Sequence, residues 1–185
     1  MKQIATFAGG CFWCIDSAFS ELKGVIKVTS GFTGGVEKKP SYELICTGKT
    51  NHREAVEIQF DPKEISYKEL LTVFWKNIDP TDDGGQFADR GFQYTTAIYY
   101  HDKEQKKIAE ESKKEQDESG KYDKSIATSI EAAKEFYSAE KYHQQYYKKC
   151  PIKYKMYRVG SGREAYIKEM EKKDNNQIKK VINKY

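Results

Sequence analysis

Two cysteines three residues apart, Cys11 and Cys14, sit inside Gly9-Gly10-Cys11-Phe12-Trp13-Cys14, and a glycine pair, two thiols and two adjacent aromatics suit redox chemistry on sulfur. A strand-like run, Gln3 to Ala8, precedes the motif. Ile15, Ala18, Phe19 and Leu22 follow at helical spacing until Gly24. The thiols therefore fall where a strand hands over to a helix. A thiol at a helix N-terminus faces unpaired backbone N–H groups and the positive end of the macrodipole, and both favour thiolate. On this reading Cys11 is the nucleophile. The plainer alternative is a structural cysteine packed beside core aromatics, and the flanking glycines argue against it.

A second reactive group comes from the run Arg53 to Asp61, which alternates as a strand does. Glu54, Val56, Ile58 and Phe60 share one face, and Glu57, Gln59 and Asp61 share the other. A carboxyl on a core face loses the hydration of its charged form, so its pKa rises and it can stay protonated near neutrality. Such an acid beside a nucleophilic thiol could protonate an oxygen leaving from the atom that the sulfur attacks. The alternative is that Glu54, at the strand's first residues, opens to solvent or pairs with a lysine.

The surrounding chain alternates strands and helices, with no internal repeat and no low-complexity linker. Val25 to Phe32 reads as a strand ending at Gly34-Gly35, and a turn carries Pro40, Tyr42 and Cys46. Ser66-x-x-Glu69 is a capping box, and Leu70, Leu71, Phe74, Trp75 and Ile78 form the buried stripe of the helix it starts. Asp79-Pro80 ends that helix. A long loop from Asp82 to Gly91 then leads to a strand expected over Tyr94 to Tyr100. Lys103 to Glu118 is almost wholly charged and reads as a solvated helix held by i,i+4 pairs. A short strand is expected near Ile126 to Ile130 and a tyrosine-rich helix over about 139–149. An irregular basic stretch follows, and then a charged, helical and solvated tail. The domain expectation is one catalytic domain over 1–160 and the tail over 161–185.

Composition narrows the function. At 185 residues the chain can bury a full core. A net charge of +4, with the excess concentrated in C-terminal lysines and no arginine-rich stripe, does not point to nucleic acid. Four scattered cysteines, Cys11, Cys14, Cys46 and Cys150, do not make a disulfide scaffold, and no apolar run approaches a membrane span, so a reducing cytoplasm is expected. His52, His101 and His143 form no protease pattern with Cys11. His143 reads as packing or hydrogen bonding on its own helix. Structural zinc would need a second closely spaced ligand pair, which Cys46 and Cys150 do not supply, and no metal is expected.

Seven blocks together carry a resemblance. They are Gly10-Cys11-Phe12-Trp13, Gly31-Phe32-Thr33-Gly34-Gly35, Tyr42, His52-Arg53-Glu54-Ala55-Val56, Phe74-Trp75-Lys76-Asn77-Ile78-Asp79-Pro80, Asp89-Arg90-Gly91-Phe92-Gln93-Tyr94 and Tyr142-His143-Gln144-Gln145-Tyr146. In identity, order and spacing this set closely resembles the A-type peptide methionine sulfoxide reductases, over about Thr6 to Cys150. Ile78 and Arg90 stand where many members have histidine.

The resemblance implies an activity and assigns roles. Cys11 would attack the sulfur of the S epimer of methionine sulfoxide, protein-bound or free, and Glu54 would protonate the oxygen. Tyr42 and Tyr94 would hydrogen-bond that oxygen, Phe12 and Trp13 would wall the methyl pocket, and Asp89 would position the substrate backbone. Cys11 would become a sulfenic acid and then a disulfide recycled by thioredoxin. Cys14 is favoured over Cys150 as the resolving thiol, because its proximity gives it a high effective concentration, and Cys46 reads as structural. The expected fold is α+β, a mixed sheet with a ferredoxin-like core and the site in an open pocket at the start of the first helix. The expected molecule is a monomer without cofactor. The competing class is a thioredoxin-like dithiol-disulfide oxidoreductase, which would have no use for Glu54. A metal- or peptide-binding module is the non-enzymatic alternative.

Overall fold

The structure, a computed structural model, describes residues 1–182. Its elements run β1 (Gln3–Gly9), α1 (Phe12–Phe19), β2 (Val25–Thr33), α2 (Tyr42–Cys46), β3 (Arg53–Phe60), α3 (Tyr67–Lys76), β4 (Gly85–Gln86) and β5 (Asp89–Arg90). A 3-10 turn at Phe92–Tyr94 precedes β6 (Thr96–Tyr100), α4 (Lys103–Asp117), β7 (Ser129–Ala132), β8 (Tyr137–Ser138), α5 (Tyr146–Lys149), α6 (Pro151–Gly160) and α7 (Arg163–Ile182). Six strands form one mixed sheet in the order β7-β6-β1-β3-β2-β8, in which only β6 and β7 are parallel, and β4 and β5 make a separate small hairpin. The chain is thus of the α+β class.

The centre of the sheet follows from its sequence. Ala5 to Gly9 is buried throughout, as a strand flanked on both edges and covered on both faces requires. One face is covered by α1 and α3, where Phe7, Phe19, Leu70, Phe74 and Ile58 join one apolar cluster. The predicted capping box is present. Ser66 Oγ accepts from Glu69 N at 3.2 Å and the Glu69 carboxylate accepts from Ser66 N at 2.8 Å, which fixes the start of α3.

Register then positions the chemistry. Antiparallel pairing of Phe7 with Val56 carries Glu54 abreast of Gly9, and pairing of Gly9 with Thr96 carries Tyr94 beside Cys11. The ends of three strands converge on the start of α1.

Several boundaries differ from the sequence reading. The strand expected from Tyr94 begins at Thr96, because Gly91 at φ 119° turns the chain into the 3-10 turn. The short strand expected near Ile126 runs Ser129–Ala132. The tyrosine-rich helix is cut to α5. Gln145 adopts φ 51°, and upstream the Gln144 side chain bonds Ser30 N and O and Ala139 O, holding that segment against β2 in place of helix hydrogen bonds. The stretch read as irregular after Cys150 is helical, with Pro151 at the first position of α6, where proline's fixed φ and missing N–H cost nothing. The segment read as a solvated tail begins at α7 with Arg163, which is 1% exposed. Residues 183–185 of that segment lie outside the described residues.

Candidate active site

Cys11 is the N-cap of α1, at the junction that the strand and helix patterns indicate. Gly10 before it has φ +78°, and a Cβ there would lie 2.6 Å from Gln86 Cβ and 2.9 Å from Arg163 Nη2, so only glycine fits. The Cys14 N–H bonds Cys11 O at 3.1 Å, closing a turn that brings the two thiols within hydrogen-bonding reach.

Glu54 is 2% exposed, and its Oε2 accepts from Phe12 N at 3.0 Å. The carboxyl therefore satisfies an orphan N–H in the first turn of α1, one residue from the Cys11 sulfur. Burial pushes the Glu54 carboxyl up to about 8 against that hydrogen bond, and the negative charge of Asp89 and Cys14 adds to the effect. At neutral pH it carries a proton.

The two thiols share a proton unequally. Cys11 is pushed well above the ordinary thiol range, by burial first and then by donating to Cys14. Cys14 is lowered to about 7, chiefly because it accepts from Cys11, with Arg163 and Arg158 helping against its own burial. In the reduced pair burial opposes the helix N-terminus at Cys11, and the lowered thiol is Cys14.

The phenols and aromatics close around this pair. Tyr42 opens α2, which Ser41 caps by accepting from Leu44 N at 3.3 Å. The Tyr42 ring lies 6.5 Å from Phe12 and 4.3 Å from His143. Burial raises the hydroxyls of both Tyr42 and Tyr94, and the Glu54 charge acts on both, so both remain donors near that carboxyl. Phe12 packs on Phe32 at 5.8 Å, and Trp13 stacks on Tyr146 at 4.0 Å. Asp89, raised by burial, accepts a hydrogen bond from the Tyr157 hydroxyl.

Of the residues singled out from sequence, Cys11, Cys14, Glu54, Tyr42, Tyr94, Phe12, Trp13 and Asp89 converge here. Cys150 stands behind the aromatic wall, its thiol meeting Tyr146, whose ring is the one stacked on Trp13. Cys46, read as structural, is exposed and lies near the Tyr42 hydroxyl. The site is also less open than expected, with Cys11 only 6% exposed.

Three residues were not placed in the site by the sequence reading, which gave His143 only packing or hydrogen bonding on its own helix. His143 is 1% exposed and accepts from Trp13 Nε1 at 3.1 Å, which fixes the indole and reaches well beyond its own turn. Tyr146 supplies the stack, and Tyr157 approaches Trp13 edge-on at 5.8 Å and contacts the Cys11 sulfur. The Tyr142 to Tyr146 block was the available signal for the first two. Nothing in the basic stretch around Tyr157 marked it. Among the described residues no three His, Cys, Asp or Glu side chains are grouped to hold a metal ion.

A buried dithiol at a helix start, a protonated carboxyl one residue away and two phenols around it define a thiol-based reductase equipped to take an oxygen from its substrate. Residues 3–175 match the family described as peptide methionine sulfoxide reductase, and the chain belongs to that family. It is 54% identical to the peptide methionine sulfoxide reductase MsrA of Bacillus licheniformis, over 91% of this chain and 93% of that one. Against MsrA of Bacillus subtilis the identity is 54%, over 91% and 95%. Among solved structures, reduced Mxr1 of Saccharomyces cerevisiae matches with TM-score 0.75 at 32% identity, over 82% of this chain and 87% of that one. Methionine sulfoxide reductase A of Corynebacterium diphtheriae matches with TM-score 0.72 at 33% identity, over 82% and 76%. The chain is accordingly a methionine sulfoxide reductase. Among the described residues no helix is long and apolar enough to cross a membrane.

Proposed function

We propose that the chain reduces the S epimer of methionine sulfoxide, with Cys11 as nucleophile and Glu54 as general acid. The supporting observation is the Glu54 carboxyl, buried, raised to about 8 and bonded to Phe12 N beside Cys11. A disulfide exchanger has no use for such an acid. Cys11 attacks the sulfoxide sulfur while Glu54 protonates the oxygen and Tyr42 and Tyr94 hydrogen-bond it. The sulfur–oxygen bond breaks, methionine leaves, and the thiol becomes Cys11–SOH. Phe12 and Trp13 receive the methyl group, and Asp89 holds the substrate backbone.

Cys14 then attacks the Cys11 sulfur, the Cys11–Cys14 disulfide forms, and the oxygen departs as water. An external dithiol, for which thioredoxin is the candidate, takes up the oxidising equivalents and restores both thiols. The yeast relative Mxr1 is described in complex with Trx2.

The decisive experiment incubates the protein with a peptide carrying both epimers plus dithiothreitol and resolves the epimers by chromatography. Loss of the S epimer alone, abolished in Cys11→Ser, is expected. Survival of both epimers while insulin is reduced would transfer the chain to the dithiol-exchange class.

A further inference from the structure

Arg163 is among the largest side chains fully buried in this protein, and it pairs with no carboxylate among the described residues. Its Nη2 donates to Gly9 O at 2.9 Å, its Nη1 donates to Asn77 O, and its guanidinium lies 4.7 Å above the Phe87 ring. The same Nη2 fills the space left by the missing Cβ of Gly10. A permanently charged group is thus held against the two residues before Cys11. A buried cation without a counter-ion is costly unless something nearby uses its charge.

A second line of contacts runs from α6 to the Cys14 backbone. Arg158 Nη1 donates to the Tyr154 hydroxyl at 3.2 Å, Tyr154 bonds Ser17 Oγ, and Ser17 Oγ donates to Cys14 O at 2.9 Å. Arg158 also pairs with Glu164 at 2.9 Å, whereas Arg163 makes no salt bridge among the described residues and Asp89 is the carboxyl that feels its charge.

We propose that Arg163 is the positioning residue for the resolving step: inserted by α7 behind the Cys11–Cys14 turn, its guanidinium braces Gly9-Gly10 and supplies the positive charge beside Cys14. This rests on the reading of Cys14 as the resolving thiol. The groups acting on Cys14 are Cys11 from its own turn, Arg163 from α7, Arg158 and Tyr154 from α6, Asp89 from β5 and Glu54 from β3. Arg163 is the first of the two cations, and Asp89 and Glu54 oppose them. Burial alone would push Cys14 up as it does Cys11. With the cation present, Cys14 attacks as thiolate, and hydroxide leaving Cys11–SOH collects a proton to become water.

The test follows thiol loss and methionine release separately in single turnovers, without reductant, across about pH 6 to 9. In the native chain the thiol-loss rate is expected to rise with pH through a midpoint below the free-thiol value of about 8.5. In Arg163→Met, which keeps an apolar stem and removes the guanidinium, the midpoint is expected to move toward the free-thiol value of about 8.5. A midpoint one pH unit higher lowers the thiolate fraction at pH 7 by up to about tenfold, and the greater nucleophilicity of the more basic thiolate returns about threefold, a net loss of about threefold relative to methionine release. Arg163→Lys, which retains the charge, is expected to restore the midpoint.

An unmoved midpoint in Arg163→Met overturns the proposal, as does a midpoint moved equally by Arg163→Lys. If Arg163→Met does not fold, Arg163→Gln, which is neutral but still able to donate hydrogen bonds, is read in its place by the same midpoint. Cys14→Ser separates the underlying reading: if a pair of thiols is still lost in that variant, Cys14 is not the resolving thiol and that reading falls first.

Discussion

Helices α4 and α7 flank one cavity of about 460 Å³ and are both built from lysine and glutamate, yet they stand in opposite relations to the chemistry. Helix α4 is a solvated face. Lys106–Glu110, Lys107–Glu111 and Lys114–Glu118 are exposed i,i+4 pairs at 3.7 to 3.9 Å, with lysine before glutamate, the weaker order against the helix dipole. Its anchors are Trp75 Nε1 donating to Ser112 Oγ at 2.8 Å and Gln105 Nε2 donating to Ile4 O at 2.7 Å. Helix α7 has exposed pairs too, Lys168–Glu164 and Lys173–Glu169 at 3.3 Å, in the better order. Its first residue, however, is buried against Gly9 and Gly10. One arginine at a helix start turns a charged surface element into part of the active-site wall.

Three measurements sharpen or break that contrast. The largest effect belongs to the buried acid. Glu54→Gln is expected to slow methionine release about 10²- to 10⁴-fold. In the native chain that step is expected to hold below about pH 8 and to decline as pH rises through it, since only the protonated carboxyl donates. The same substitution is expected to stabilise the fold at pH 7. With a folded pKa raised above the unfolded value of about 4.3, the native state binds the extra proton between those limits, and stability falls as pH rises across that window. Removing the ionisable group abolishes this loss, a gain of up to about 3 kcal/mol readable by urea unfolding at pH 5 and pH 7. A release rate independent of pH and of Glu54 would remove the acid from the mechanism.

The next effect compares the two helices directly. Arg163→Ala leaves the Gly9 and Asn77 carbonyls without their donors and is expected to cost about 2–4 kcal/mol in urea unfolding. If the loss stays within about 0.5 kcal/mol, α7 is a solvated tail after all. The smallest effect is the control: Lys107→Ala in α4 is expected to change stability by no more than about 0.5 kcal/mol, and less in high salt. A larger change would mean that the α4 charges, too, act through the fold.

Local pattern made much of the site legible before any coordinates. Cys11 at a strand-to-helix junction and Glu54 on an apolar strand face follow from periods of 3.6 and 2, and the α3 capping box is read from Ser66 and Glu69 alone. Tyr42, Tyr94 and Asp89 were found only through family resemblance, because a lone tyrosine or aspartate has no local pattern to mark it. His143, Tyr146 and Tyr157 were missed for a related reason. Their contacts to Trp13 span 130 residues of chain or more, and no window carries that information.

What the sequence determined by itself is therefore the set of reactive groups and the elements that bear them, since propensity, capping and amphipathic period are properties of neighbouring residues. What only the tertiary structure decided is which thiol is lowered and which charged helix is buried. Those depend on desolvation and on charges brought close from distant parts of the chain. Cys11 and Cys14 stand three residues apart, and the difference between them comes first from the hydrogen bond that one makes to the other, with Arg163 and Arg158, about 150 residues away in sequence, adding to it.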